Sequence, residues 1–402
     1  MRPTLVMAMC LGQIGNLLPH VVVPAVMTVH LMPLWGLSNA QAGLMAAAYA
    51  AGYMLAVPIL SSLTDRRDAR VILLWGSLFS ALATFAFGAL AQGLWSALML
   101  WALAGIGFAG AYMPGLRALT DRLAAADASR SVTLYTSSYS LGVGLSFLVS
   151  QWAATHIDWQ WAFYLTSLGP LVMVAVALSM RPVHPPPASG HLLNVRPVLR
   201  NRPTMGYILG YGAHCFELYG LRTWLVGFWT FVVQRHEGST WFDPMTVSVI
   251  VTVLAMPASI WGNELSLRFG RHRAITAVQW SSACVALLIG LSAEASLNWL
   301  LVWVLVYAIT VPADSGSLTA GMSATAEPGS RGVTLALHST VGFGLSALAG
   351  WLVGVALDAW GGANEPRAWT AAFTVLAVGI SLGPLALRWS RRKDSRTGIQ
   401  AR

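Results

Sequence analysis

Charge is scarce in this sequence. Only 10% of its 402 residues are Asp, Glu, Lys or Arg, whereas 56% are hydrophobic and the mean hydropathy is +0.63. A soluble domain of that composition would expose apolar surface it has no means to cover, so water is excluded as its main solvent. Cysteine is nearly absent. Cys10, Cys215 and Cys284 all lie inside apolar runs, which excludes a disulfide framework and a spaced metal site. No metal or other cofactor is expected. A Gly-x4-Gly-Lys-Ser/Thr loop is missing, so ATP is not the expected energy source. No nucleophile, base and orienting group stand together, so the chain does not read as an enzyme. The formal charge of +9 raises nucleic acid as a partner, but the basic residues sit in short loops rather than on one soluble surface, and that partner is not expected. The first apolar run extends from Leu5 past Met27 without a cleavage pattern, so it is expected as a span rather than a signal peptide.

What the sequence has in abundance is long apolar runs. A hydrocarbon core ~30 Å thick takes roughly 20 apolar residues per helix, and the runs predict spans near 5–30, 40–62, 71–91, 94–116, 131–153 and 160–180, then near 204–234, 245–262, 274–293, 297–322, 332–358 and 367–388. Between the sets lies a polar stretch from Arg181 to Pro203 that contains Pro185-Pro186-Pro187, too rich in proline for a regular helix throughout. The expected organisation is a bundle over 1–180, a cytoplasmic linker over 181–203, a second bundle over 204–388 and a basic tail over 389–402. The expected fold class is an all-α membrane protein with twelve transmembrane helices.

Short cytoplasmic loops retain Lys and Arg. With the amino terminus in the cytoplasm, all but three of the 24 cations fall on that side: Arg235 and Arg367 lie in outside loops, and Arg222 lies within a span. Both termini are therefore expected in the cytoplasm, in a multi-pass protein of the cell (inner) membrane. The outside loops carry Trp35, Trp159, Trp161, Trp241, Trp299 and Trp369 near span ends, where amphipathic rings prefer the interface.

The densest charge is Leu63-Thr64-Asp65-Arg66-Arg67-Asp68-Ala69-Arg70, between the second and third spans. A second version, Gly262-Asn263-Glu264-Leu265-Ser266-Leu267-Arg268-Phe269-Gly270-Arg271-His272-Arg273, follows the second apolar run of the other half. This paired placement, on two six-helix halves joined by a long central loop, resembles the major facilitator superfamily of secondary transporters. The family motif reads roughly Gly-x3-Asp-Arg-x-Gly-Arg-Arg. Ser61 takes the first glycine place, Asp65, Arg66 and Arg70 match, Asp68 replaces the second glycine and Ala69 replaces an arginine. The second copy keeps Gly262, Arg268, Gly270 and Arg271 but has Leu267 where the acid would be. The resemblance implies bundles related by a pseudo-two-fold axis. It also implies a gate built from Asp65, Arg66, Arg70, Arg117, Arg268 and Arg271, with Asp65 bonding across the halves and Arg117 or Arg122 as local partners. A topological reading stands beside it, in which these arginines only hold the loops inside. Two departures stand out: Trp101 stands where many proton-coupled members have an arginine, so that arginine's role is not performed there, and the fifth span has no Gly-Pro, which argues against drug/proton exchange.

Charged groups at mid-membrane cost ~2.5–3.5 kcal/mol each and mark candidate sites. The seventh span carries His214, Glu217 and Arg222, with His214 and Glu217 spaced to share a helix face. Glu217 and Arg222 are badly spaced for a pair unless Gly220 lets the helix unwind, so Arg222 is aimed at substrate or at Asp314. Asp314 follows Pro312 and precedes Gly316, a candidate broken segment. The family packs helices 1, 4, 7 and 10 around its cavity, which implies that Glu217, Arg222 and Asp314 converge, either as a functional site or as a buried Arg222–Asp314 pair. Asn16 and His20 lie one turn apart in the first span; His20 is either a ligand-binding or proton-exchanging group or a histidine bonded to a neighbouring helix. Tyr112, Tyr135 and Tyr139 are candidates for substrate contact or for packing.

These residues lead to a secondary transporter that works by alternating access at a midplane site. Glu217 and Asp314 are the candidates for proton coupling. Asn16, His20, Tyr112, Tyr135, Tyr139, His214 and Arg222 are the candidates for substrate contact. The expected cargo is a small organic or inorganic anion imported with H+, and a monomer suffices. The alternative is a proton-coupled exporter of amphipathic compounds, suggested by Met113, Met205, Met245 and Met256.

Overall fold

The computed structural model describes residues 3–123, 125–183, 195–236, 241–327 and 330–391. The centre of the proline-rich linker and the basic tail beyond Arg391 lie outside the described residues.

Among the described residues the structure is helical throughout, and its helices group into twelve rods. The first, α1, runs Pro3–Asn16, then Val22–Val26, a π turn Met27–Leu31 and Met32–Trp35. Then follow α2 (Asn39–Leu63), α3 (Ala69–Leu90), α4 (Leu94–Thr120), α5 (Ala125–His156) and α6 (Trp159–Ser167 with Gly169–Ser179). The second set is α7 (Arg202–Arg235), α8 (Pro244–Phe269), α9 (Arg271–Leu291), α10 (Leu297–Thr310, a 3-10 turn Val311–Asp314, and Ser315–Thr325), α11 (Arg331–Ala359) and α12 (Pro366–Ser390). Nine of these rods are long and apolar enough to cross a membrane. The others are the broken α1 and the two more polar rods α5 and α7, of 32 and 34 residues.

Local chemistry sets the rod ends. Ser38 and Gln41 cap α2 reciprocally, and Asp243 accepts from Thr246 N at 2.7 Å at the start of α8. The break in α1 follows from Pro19, whose missing N–H and ring disrupt the ladder. The Ser146 hydroxyl of α5 repairs it, accepting from Val21 N at 3.3 Å and donating to Leu18 O at 2.5 Å. A freed backbone group in a bilayer needs such a partner. Pro312 produces the 3-10 turn of α10, as its spacing from Gly316 predicts.

The two six-rod bundles meet along α2 with α11, α5 with α8, and α1 with α7. Moving each rod of the pair α2/α11 by six positions gives α8/α5, the pseudo-two-fold relation expected for a duplicated bundle. At the seam the backbones nearly touch. A Cβ on Gly43 would collide with the carbonyl of Gly350, and one on Gly354 with that of Asn39. Outward faces carry exposed apolar groups such as Leu55, Trp95, Met99 and Leu291, as a lipid-facing surface does.

The second charged segment differs from its expected form. It is not a loop: α8 continues through Phe269 and α9 starts at Arg271, with Gly270 alone between them at φ 88°. That left-handed conformation is one glycine adopts without cost.

Candidate functional site

The rod α7 organises the interior because its opposite faces carry different chemistry. It is an unbroken helix: Gly220 does not unwind it but packs against Leu376 and Ala349, and Glu217 and Arg222 do not pair. His214 and Glu217 turn into the second bundle, while Tyr219 and Arg222 turn to the seam.

At the seam, His20 Nε2 lies 2.8 Å from the Tyr139 hydroxyl, which lies 2.7 Å from the Tyr219 hydroxyl. His20 sits in the break of α1, within 5.1–5.8 Å (ring centroids) of Tyr49, Phe108, Tyr139 and Tyr219. The Arg222 guanidinium carbon stands 5.7 Å from the Tyr139 ring centroid and 5.6 Å from that of Tyr219. Arg222 is 5% exposed, and among the described residues no carboxylate is within ion-pair distance; its Nη1 has no hydrogen-bond partner. A desolvated cation–π contact gives back about 2 kcal/mol, less than a buried cation costs. Among the described residues the first bundle also contributes buried polar atoms without partners, among them both side-chain atoms of Asn16, Nδ1 of His20 and the hydroxyl of Tyr49. Tyr112 is half-buried and stacks on Phe108 at 5.6 Å. Tyr135 parts from Tyr139 despite their shared spacing, because its hydroxyl donates to Gln13 Oε1 at 2.8 Å and ties α5 to α1.

The second cluster lies between α7, α9 and α10. Asp314 accepts from Gln279 Nε2 at 2.7 Å, and its other oxygen is 2.6 Å from His214 Nδ1, out of line for a hydrogen bond. Glu217 Oε1 accepts from Ser282 Oγ and Tyr307 OH, each at 2.9 Å, while Oε2 is buried without a partner among the described residues. Tyr211 stacks between His214 and His338 at 5.7 and 3.8 Å, which extends the cluster towards α11. Of the two alternatives for Arg222, the pair with Asp314 is not formed among the described residues: the two side chains sit in separate clusters, each with its own partners. Trp101, in the place of a family arginine, is a core residue against Tyr49, Phe87 and Phe163.

Two ties hold the ends. At the arginine-poor end, Asp358 of α11 accepts from Asn39 N (3.0 Å), Asn39 Nδ2 (2.7 Å) and Ala40 N (2.7 Å), capping the start of α2 across the two bundles. At the arginine-rich end, Asp68 takes two bonds from Arg122 Nη2 (2.9 and 3.0 Å) and one each from Arg70 N and Val183 N. Partial burial works against ionisation of Asp68, yet the bonds from Val183 N, Arg70 N and Arg122 hold its pKa below the usual carboxylate value. Arg70 Nη1 donates to Met180 O at 2.7 Å. Asp65 is only 3.7 Å from Arg117, in its own bundle, with both side chains more than 40% exposed, a contact worth little. Arg66 and Arg268 are exposed, and the buried Nε of Arg271 has no partner among the described residues.

Sequence reading does not single out Tyr49, Phe108, Gln279, Tyr307, Asp358 or the Asp68–Arg122 tie. Tyr219 carried a usable signal in its i,i+3 spacing to Arg222. Gln279 carried another, as an amide inside an apolar run.

The sequence profile described as Major Facilitator Superfamily matches residues 9–342. Curated relatives include the probable sphingolipid transporter spinster homolog 1 of Arabidopsis thaliana, 22% identical over 37% of this chain and 30% of that protein. Protein spinster homolog 1 of Xenopus tropicalis is 28% identical over 38% and 29%. The matched segment thus spans under a third of those relatives. Among solved structures, an inward-facing, occupied bacterial homologue of the human lysosomal transporter Spinster superposes with a TM-score of 0.71 at 18% identity, over 97% of this chain and 95% of that one. A mutant of the peptide transporter POT in complex with alafosfalin gives 0.78 at 11%, over 95% and 93%. At these identities the structures share the fold.

Proposed function

Because this chain belongs to the major facilitator superfamily and is a secondary transporter, we propose that it imports a small organic anion together with H+, its anionic group held by Arg222. The observation that carries this reading is the buried Arg222 guanidinium, which faces aromatic rings and, among the described residues, no carboxylate. A buried cation is relieved when a ligand supplies the missing negative charge. Tyr139 and Tyr219 offer hydroxyls beside it, and His20 completes a polar floor. An organic body suits the surrounding rings better than a fully hydrated inorganic ion.

Proton coupling is assigned to Glu217 and to the Asp314–His214 pair. Among the described residues Glu217 Oε2 has no hydrogen-bond partner and is the oxygen open to a transported proton, while Ser282 and Tyr307 fix the other. Since α7 carries both clusters, a change of protonation on one face alters the packing against α9 and α10 and, with it, the position of Arg222. The arginine-rich end is assigned to the cytoplasm of a cell whose inner membrane holds this protein as a monomer, with both termini inside.

A second reading, export of amphipathic compounds, draws on the relative described as a probable sphingolipid transporter. The methionines do not favour it. Met205 packs in an apolar cluster apart from the main core, and Met245 lines a cleft with His30 and Asp243. Flux into liposomes under a pH gradient, after a thermal-shift screen of small anions and lipophilic cations, decides between them. Anion uptake with proton movement supports the first reading; export of lipophilic cations alone replaces it with the second.

A further inference from the structure

We propose that the arginine-rich ends of α9 and α12 form a binding site for the headgroup of an anionic phospholipid. A cleft of about 600 Å³ opens between these rods, lined by His272, Thr276, Trp280, Leu385, Arg388 and Arg391 among others, with no carboxylate in its wall among the described residues. Arg388 and Arg391 are exposed, and neither is paired with an acid among the described residues. His272 shares Nδ1 with the Tyr207 hydroxyl at 3.1 Å, which leaves Nε2 for a ligand. The cleft therefore offers cations and a hydroxyl, the donor set that recognises a phosphate diester.

The other wall separates a lipid from a free anion. Trp280 and Leu385 are 45% and 54% exposed on the outward surface of the bundle. They border the cationic groups, so a ligand with a phosphate and an adjoining acyl chain covers both. Trp389, 40% exposed one residue beyond Arg388, marks the level where indole rings meet headgroups. The site also touches the machinery described above without depending on any cargo. Thr276 and Trp280 flank Gln279, which packs against Gly383 of α12 and donates to Asp314. A headgroup bound here braces the α9–α12 seam beside that hydrogen bond.

Native mass spectrometry of the full-length chain in detergent tests this with phosphatidylglycerol, phosphatidylcholine and inorganic phosphate as probes. Phosphatidylglycerol is expected to be retained in preference to phosphatidylcholine, and millimolar inorganic phosphate is expected not to displace it. The double variant R388Q/R391Q should bind phosphatidylglycerol on the order of tenfold more weakly, with an unchanged thermal transition in the absence of lipid. The variant R66Q/R67Q, which removes two exposed arginines elsewhere at the same end, should bind as the parent does. Equal retention of both lipids, displacement by phosphate, equal weakening in the two double variants, or full binding by R388Q/R391Q would each overturn the proposal.

Discussion

In the first bundle the fully buried polar side chains are amides, hydroxyls and one imidazole, among them Gln13, Asn16, His20 and Ser146; in the second they include Glu217, Arg222, Asp314 and His214. Among the described residues the charged side chains buried in the interior, Glu217, Arg222 and Asp314, lie in the second bundle, whereas the buried guanidinium of the first, Arg122, sits at its arginine-rich end on Asp68. The surface ties run the other way. Asp68 and Arg122 lock the arginine-rich end of the first bundle, whereas the equivalent segment of the second has Leu267 in place of an acid and a single glycine joint. A duplicated architecture thus carries an unequal distribution of charge. The first bundle is braced outside and neutral within, and the second holds the ionisable interior.

That contrast is open to attack at several points. The largest effect is expected from Arg222→Ala, which removes the buried cation: truncating one partner of a buried charge pair costs about 2–5 kcal/mol, so anion binding measured by thermal shift and liposome uptake should fall by roughly 30-fold or more. The matching change in the first bundle, His20→Gln, should cost far less, since it removes one hydrogen bond worth ~1 kcal/mol. Equal losses in the two variants would erase the distinction between the bundles.

Glu217→Gln should abolish substrate-induced proton movement in liposomes while leaving anion counterflow measurable. Loss of both together would make Glu217 a structural residue.

Next in size is the tie across the seam. Asp358→Asn weakens three bonds to the start of α2 and should raise maleimide labelling of an Ala42→Cys reporter, in a background without the native cysteines, several-fold.

The smallest effects belong to the arginine-rich ends. Asp68→Asn is expected to lower stability by about 1–3 kcal/mol at neutral pH, whereas Arg268→Gln should stay within about 0.5 kcal/mol. Because the folded pKa of Asp68 is depressed, its contribution is fully present above the unfolded value of about 3.9 and is lost as pH falls through the lower folded value. The variant should flatten that acid limb in a thermal-denaturation series.

Much of this fold was legible beforehand because span length and turn chemistry are local properties. The rods fall close to the apolar runs, and Pro312 with Gly316 marks the broken part of α10. The partners of the buried charges were not legible in the same way. Spacing puts His214 and Glu217 on one face of α7, but it does not say that α9 supplies Gln279 and Ser282 to meet them. Opposite charge suggested that Arg222 would find Asp314; packing decided otherwise, because the two side chains leave different rods in different directions. The same limit hid Asp358, which is 319 residues from the backbone it caps.

The joint at Gly270 has a mechanical consequence. With one residue between them, α8 and α9 have no slack, so a tilt of α8 where it leans on α5 is transmitted to α9 as a lever transmits a stroke through its elbow. Gln279 rides on the driven arm, and its grip on Asp314 tightens or slips with the angle of that elbow. Lengthening the joint by a few flexible residues should uncouple the stroke from the grip while leaving each arm intact.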